Sequence, residues 1–456
     1  MEFLAFWMFA VLLCFLLLGY PVAFALGGTA VLFTLLFSDL LPNLGVLEWP
    51  WDPAFGARRL NILPQRIFGS IMDNYTLVAV PFFVFMGVML ERSGLAEDLL
   101  QTMGRLFGKM RGGLAISVVA VGALLAASTG VVGASVVTMT VLALPVMLKY
   151  GYDRGLASGT IAASGTLGQI IPPSIVLIIL GDQMTRVNVG DLFMGALIPG
   201  LLLAGLYMLW IALYAFIRRD KAPAMPAVAE EFAIANLWLA VARSLLPPLV
   251  LVAVVLGTIF WGVATPTEAG AMGAFGATVL AFLNGRLNLR NVMAVNEATV
   301  RLTSMVFIIL VGATAFAMVF SALGGHWMVE DFLADLPGGE WGFLVLVMLT
   351  IFILGFFLDF IEITFIVVPL VAPVAVTLGF DPVWFAVLIA MNLQASFLTP
   401  PFGFALFYLR GAAPPSVTTR DIYRGIVPFI IIQLIMLGII VAFPQLVLWL
   451  PEVART

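Results

Sequence analysis

Apolar residues run along this chain in blocks, and the blocks set its architecture. Stretches of about 20 apolar residues, each long enough to cross some 30 Å of hydrocarbon as a helix, occupy 70–91, 192–217, 244–263, 269–285, 299–321 and 426–450. A run at 3–37 is punctuated by Gly19-Tyr20-Pro21 and reads as one kinked span. Barrel strands would alternate apolar with polar positions, and these blocks do not. Two runs are too long for a single straight crossing: 113–148, with Ser128, Thr129, Gly130, Gly133 and Ser135 midway, and 341–376, with Asp359, Glu362 and Thr364 midway. Each predicts a re-entrant hairpin whose polar turn is enclosed, because irregular backbone at that depth is tolerated only against protein or a wet cavity. Two further runs, 155–181 and 384–409, carry Pro172-Pro173 and Pro400-Pro401. Proline removes a helical hydrogen bond and disfavours helix in the residue before it, so both helices must open there.

The polar intervals place the joints. Residues 92–112 mix charges with leucines as an amphipathic arm lying along the membrane surface. The 38–69 segment, with Trp49, Pro50, Trp51, Arg58 and Arg59, reads as a loop anchored at the interface by its tryptophans. The interval 218–243 is the one long hydrophilic linker. On either side of it the chain repeats itself. A shift of 228 residues lays Pro145 on Pro373, Gly151 on Gly379, Tyr152 on Phe380, Asp153 on Asp381, and Pro172-Pro173 on Pro400-Pro401. Internal duplication in an apolar chain points to a secondary transporter. The expected division is 1–69, an N-terminal span with a periplasmic loop; 70–217, a first repeat; 218–298, a cytoplasmic linker and two spans; and 299–456, a second repeat.

With nine spans and two hairpins, and the arm at 92–112 placed in the cytoplasm, 16 of the 21 Lys and Arg residues fall inside. Arg58, Arg59, Arg66, Arg186 and Arg455 fall outside, so the positive-inside rule puts the N-terminus in the cytoplasm and the C-terminus in the periplasm. Five crossings then separate the starts of the two repeats, which makes them inverted.

Composition agrees and removes alternatives. The 456 residues are 62 % hydrophobic and 10 % charged, with a mean hydropathy of +1.14, against about 25 % charged for a soluble domain. The single cysteine, Cys14, forms no internal disulfide, and the single histidine, His326, excludes a metal site built on histidines. An intramembrane enzyme lacks its usual histidine partner or ligand cluster, so no enzymatic role is expected. Gly104-Arg-Leu-Phe-Gly108-Lys109 has the wrong spacing for a Walker A loop, so ATP bound to this chain does not drive it. The first run is too long, and Glu2 the wrong start, for a cleavable signal.

The chemistry is expected where the helices break. Open turns expose carbonyls that can coordinate Na⁺, and helix N-termini that can hold an anion. Hard oxygen ligands are offered at one site by Ser128, Thr129, Gly133, Ser135, Gly165 and Thr166, and at a second by Asp359, Glu362, Thr364, Asn392 and Thr399. Gln169, Pro172, Gln394 and Pro400 lie where a solute would sit between them. A carboxylate deep in a span costs about 2.5–3.5 kcal/mol on insertion scales, which singles out Asp359 and Glu362 for ion or proton coupling.

These residues resemble a known family. Asn74-Tyr75 through Pro81-Phe82-Phe83, Ser128-Thr129-Gly130 with Ser135, and Gly165-Thr166-Leu-Gly168 with Pro172-Pro173-Ser174 are similar to the DctM-like large permease subunit of tripartite ATP-independent periplasmic (TRAP) transporters. So are Thr265-Pro266-Thr267-Glu268-Ala269-Gly270, Gly379-Phe-Asp381-Pro382 and Thr399-Pro400-Pro401-Phe-Gly403. The resemblance covers about 3–450. It implies an all-α, elevator-type importer in a bacterial inner membrane, driven by Na⁺, with two Na⁺ sites at the hairpin tips. It also implies a small four-helix membrane subunit, a periplasmic solute-binding protein and a carboxylate solute. By the same resemblance the 38–69 loop is longer than the family's and would touch one of these partners. Having both Asp359 and Glu362 departs from the pattern and leaves the coupling stoichiometry of the second site open. A stand-alone carboxylate or ion antiporter, needing no binding protein, is the alternative.

Overall fold

The computed structural model describes residues 3–36, 60–129, 132–184, 187–224, 237–334, 336–401 and 403–455. The described residues are all-helical, and most of the 38–69 loop lies outside them. Helices α1 (Phe3–Leu17) and α2 (Val22–Leu35) divide the first apolar run. Gly19 takes φ +83, and Pro21 opens the next helix, so the expected kink is a full break. Helix α3 (Leu63–Ile67) winds on into a wider turn and leads to α4 (Ala79–Arg92). The arm α5 (Leu95–Phe107) leaves α4 at 62°. Leu95, Leu99, Leu100 and Met103 bury one face of α5, while Arg105 stays exposed.

The first long run is a helical pair, α6 (Gly113–Thr129) and α7 (Val132–Lys149). The broken helix follows as α8 (Arg154–Thr166) and α9 (Ile175–Gln183), with a short 3₁₀ turn at Leu167–Gln169 between them. Helix α10 (Val189–Ile217) closes the first half. Beyond the linker come α11 (Leu237–Phe260), α12 (Pro266–Leu283), α13 (Leu289–Ala322) and α14 (Gly325–Ala334). The second half repeats the plan with α15 (Gly339–Leu354), α16 (Phe360–Ile366) and α17 (Val368–Thr377), the last two bent by 56°. Its broken helix is α18 (Pro382–Leu398) and α19 (Phe404–Ala412), followed by α20 (Thr419–Ala442) and α21 (Gln445–Arg455).

Two boundaries differ from the hydropathy reading. The 299 boundary falls inside α13, whose first turns are polar but helical, because the Asn288 side chain accepts from the Asn291 N–H at 2.8 Å. The last run, 426–450, is two helices, because Pro444 removes a helical N–H at the joint. Among the described residues five helices are long and apolar enough to cross a membrane, or up to seven if each of two bent pairs is one span. Breaks within the runs keep this below the nine spans expected.

The helices pack as two groups. One gathers α2, α4, α11, α12 and α13; the other holds α6 to α10 and α15 to α21, and α4, α9 and α16 carry contacts between them. Three of the four broken-helix segments are the most enclosed elements, while α19 keeps only Ala405, Leu406 and Leu409 buried. Every residue from Gly155 to Thr166, Ile175 to Gly181 and Val383 to Leu398 is buried. Small residues let α8 and α20 touch backbone to backbone: a Cβ at Gly159 would lie 2.2 Å from the Gly425 carbonyl oxygen. Equivalent caps start both broken helices. Asp153 accepts from the Gly155 and Leu156 N–H groups, and Asp381 from those of Val383 and Trp384. Each Pro-Pro bond, 172–173 and 400–401, is cis.

Asp153 also ties the first half to the linker through Lys221 at 3.0 Å. Burial pushes its carboxyl up, but the Lys221 hydrogen bond and the two backbone donors outweigh that and hold it below the usual carboxylate range. A carboxyl depressed in the folded state stabilises above its unfolded pKa, and that contribution is lost as pH falls through the folded value.

Two outcomes follow from this packing. Gly159→Ala should destabilise the protein by about 1–3 kcal/mol through overpacking, seen as a lower melting temperature in detergent. Gly438→Ala, where a Cβ meets nothing within 4 Å, should leave it unchanged. Acid titration of the melting temperature should show a loss below about pH 4 that is smaller in Asp153→Asn, which keeps the cap but not the ion pair.

Candidate functional site

The two broken helices meet at their breaks. Gln394 Nε2 on α18 donates to Thr166 Oγ1 at the end of α8, at 3.4 Å, and these residues are 228 apart. The 228-residue shift read from the sequence pairs these two positions, and in the fold they touch. Thr166 Oγ1 in turn donates to the Ala163 carbonyl at 2.9 Å. Beside this contact both amide atoms of Gln169 and Oε1 of Gln394 are buried without a partner among the described residues, as is Oγ1 of Thr364 in the second half. Buried polar groups are nearly always hydrogen-bonded, so such atoms mark places where a ligand, ion or water can bind.

Each helical pair packs on the broken helix of its own half. In the first, a Cβ at Gly122 would lie 2.6 Å from Ser164 Cβ, and one at Gly165 would lie 2.5 Å from Val136. Ser135 and Gly165 come together there on the wall of a cavity of about 10 Å³, alongside Gly122, Thr138, Met139 and Glu91. That is room for one water-sized guest. Thr138 donates to the Glu91 carboxylate, which arrives from α4 in the other packing group. The side chains of Ser128 and Thr129 lie outside the described residues, as does Gly130. Gly133 packs under the ring of Tyr408.

In the second half, Asp359 and Glu362 form one device. Asp359 caps α16, accepting from the Phe360 N–H at 2.7 Å, and Glu362 reaches back to accept from the Asp359 N–H at 3.1 Å. This is a capping box, the exchange that satisfies orphan N–H groups at a helix start. The two carboxylates thus stand at one turn, and each is partly engaged in holding it. Asn392 is tied to a neighbouring helix: its Nδ2 donates to the Met348 carbonyl of α15 at 2.7 Å and pins that helix to α18. Thr399 donates back to Ala395 at 2.8 Å, leaving the oxygen's acceptor side open. Pro172 and Pro400 sit in the breaks themselves, and the second break is held by the Tyr423 hydroxyl donating to the Pro401 carbonyl at 2.6 Å.

Sequence reasoning passed over Glu91, Thr138 and Tyr408. A carboxylate at the end of an apolar run was a usable signal for Glu91. Nothing in the sequence marked the other two, because their neighbours come from distant elements. A capping box also separates structure from charge. Asp359→Ala should lower the melting temperature, corresponding to about 1 kcal/mol. Asp359→Asn and Glu362→Gln, which keep an acceptor at each position, should leave it near that of the unsubstituted protein.

Residues 9–446 match the family described as "Tripartite ATP-independent periplasmic transporter, DctM component". The chain is 33 % identical to the C4-dicarboxylate TRAP transporter large permease protein DctM of Pseudomonas aeruginosa, over 83 % of this chain and 87 % of that one. It is 30 % identical to the sialic acid TRAP transporter large permease protein SiaM of Vibrio cholerae, over 86 % and 90 %. Among solved structures, the YdaH transporter of Alcanivorax borkumensis shares the fold, with a TM-score of 0.68 at 16 % identity, covering 94 % of this chain and all of that one. The apolar helices, the paired breaks and these matches together make this a multi-pass membrane protein, and the chain belongs to the DctM family of TRAP transporter large permeases.

Proposed function

We propose that this permease uses a Na⁺ gradient to import a carboxylate solute handed to it by a periplasmic binding protein. It would work beside a small four-helix membrane subunit in a bacterial inner membrane, with its N-terminus cytoplasmic and its C-terminus periplasmic. The observation that carries the reading is the Gln394–Thr166 contact between residues 228 apart, with unpaired buried polar atoms of Gln169 and Gln394 beside it and of Thr364 in the second half. A centre lined by neutral donors and acceptors, flanked by two helix breaks, suits one anionic solute held between cations.

In this reading the halves 70–217 and 299–456 are inverted repeats, and each helical pair is a re-entrant hairpin. One Na⁺ sits at the first hairpin with Ser128, Thr129, Gly133, Ser135, Gly165 and Thr166. The other sits at the second with Asp359, Glu362, Thr364, Asn392 and Thr399. Gln169, Pro172, Gln394 and Pro400 face the solute. Asp359 and Glu362 hold the second turn open as a cap while their outward oxygens attract the cation. The group containing both hairpins slides as a unit against the group of α2, α4, α11, α12 and α13, which is an elevator movement. The relatives' names support the solute class, since C4-dicarboxylates and sialic acid are both carboxylates.

Uptake of radiolabelled succinate into proteoliposomes, with all three components and an inward Na⁺ gradient, tests this. Uptake that needs both Na⁺ and the binding protein supports the reading. Uptake by this chain alone would replace it with a stand-alone antiporter, and uptake indifferent to Na⁺ would remove the coupling ion.

A further inference from the structure

Tyr408 lies on α19, beyond the second helix break, yet it reaches the first hairpin. Helices α19 and α7 pack together. The Tyr408 ring takes the place where a side chain at Gly133 would stand: a Cβ there would lie 2.8 Å from Tyr408 Cζ and within 3.2 Å of both Cε atoms. Gly133 is thus the residue that admits the ring against the first hairpin, one turn or less from Ser135. One aromatic side chain from the second half therefore touches the first hairpin directly. It is 39 % exposed, and its hydroxyl has no hydrogen-bond partner among the described residues. A rigid ring with an unused donor, standing against the first hairpin and partly exposed, is placed to meet a solute bound there.

We propose that Tyr408 is a solute-contact residue, its ring forming one wall of the site and its hydroxyl donating to an anionic oxygen of the solute. This rests on the reading that the solute binds between the two hairpins. The chemistry favours a phenol at this position. An arginine or lysine would bind the same anion more strongly but would repel a coupling cation beside Asp359 and Glu362. A neutral donor adds attraction for the anion and leaves the cation in place. The opposite half has no such group, since the position 228 residues earlier is Leu180, fully buried. The device belongs to one repeat only and gives the site a direction.

The test uses the complete three-component transporter in proteoliposomes, with succinate as the probe. Tyr408→Phe keeps the ring and loses the donor, so it should raise KM about tenfold, as loss of a hydrogen bond to a charged group does, with the maximal rate within about twofold. Tyr408→Ala should raise KM further. In a Cys14→Ser background, which removes the only native cysteine, Tyr408→Cys should react with a maleimide and be protected by succinate together with Na⁺. An unchanged KM in both Tyr408→Phe and Tyr408→Ala, or labelling indifferent to succinate, would overturn the proposal. Gln394→Ala separates the levels of failure. If it impairs uptake while the Tyr408 variants do not, the central site stands and the role of Tyr408 falls. If neither position matters, the placement of the solute between the hairpins falls as well.

Discussion

Every backbone N–H and C=O in an apolar surround must find a partner inside the protein. This chain breaks two of its helices in its interior, and the rest of the fold is arranged to make those breaks tolerable. Both broken helices are enclosed in the segments before their breaks, where every residue between Gly155 and Thr166 and between Val383 and Leu398 is buried. The enclosing elements approach closely because glycines remove the side chains between them, as at Gly159 against Gly425 and Gly165 against Val136. With little hydrophobic drive between helices in lipid, such close packing is a principal source of association.

Enclosure also concentrates polarity. The turn at Asp359 needs its N–H groups satisfied, and the capping box with Glu362 does so inside the turn itself. Acidic side chains in a membrane protein then have two physical justifications at once, a cap and a charge. A carboxylate has more acceptor sites than the cap consumes, so the same oxygens that hold the turn can still face a cation. The first hairpin solves the problem without acids and receives its carboxylate from outside, through Glu91 of α4. The two halves share a plan but not a charge distribution.

Much of this was legible in the residues. Apolar run lengths gave the helical class, Pro172-Pro173 and Pro400-Pro401 gave both breaks, and the shift that pairs Asp153 with Asp381 gave the two equivalent caps, because each is a local property of a few neighbouring residues. Hydropathy failed where polarity and helicity part company. The first turns of α13 are charged yet helical, and Pro444 splits a run that is apolar on both sides.

The sequence by itself determined the helices, their breaks and the existence of two related halves, since these depend on spacing and on proline and glycine geometry. Only the tertiary structure decided which candidates meet. It brought Gln394 to Thr166, tied Asn392 to Met348, laid Tyr408 on Gly133 and set Glu91 beside Thr138. Those contacts join residues dozens to hundreds of positions apart, and their partners are chosen by how whole helices pack, which no local pattern encodes.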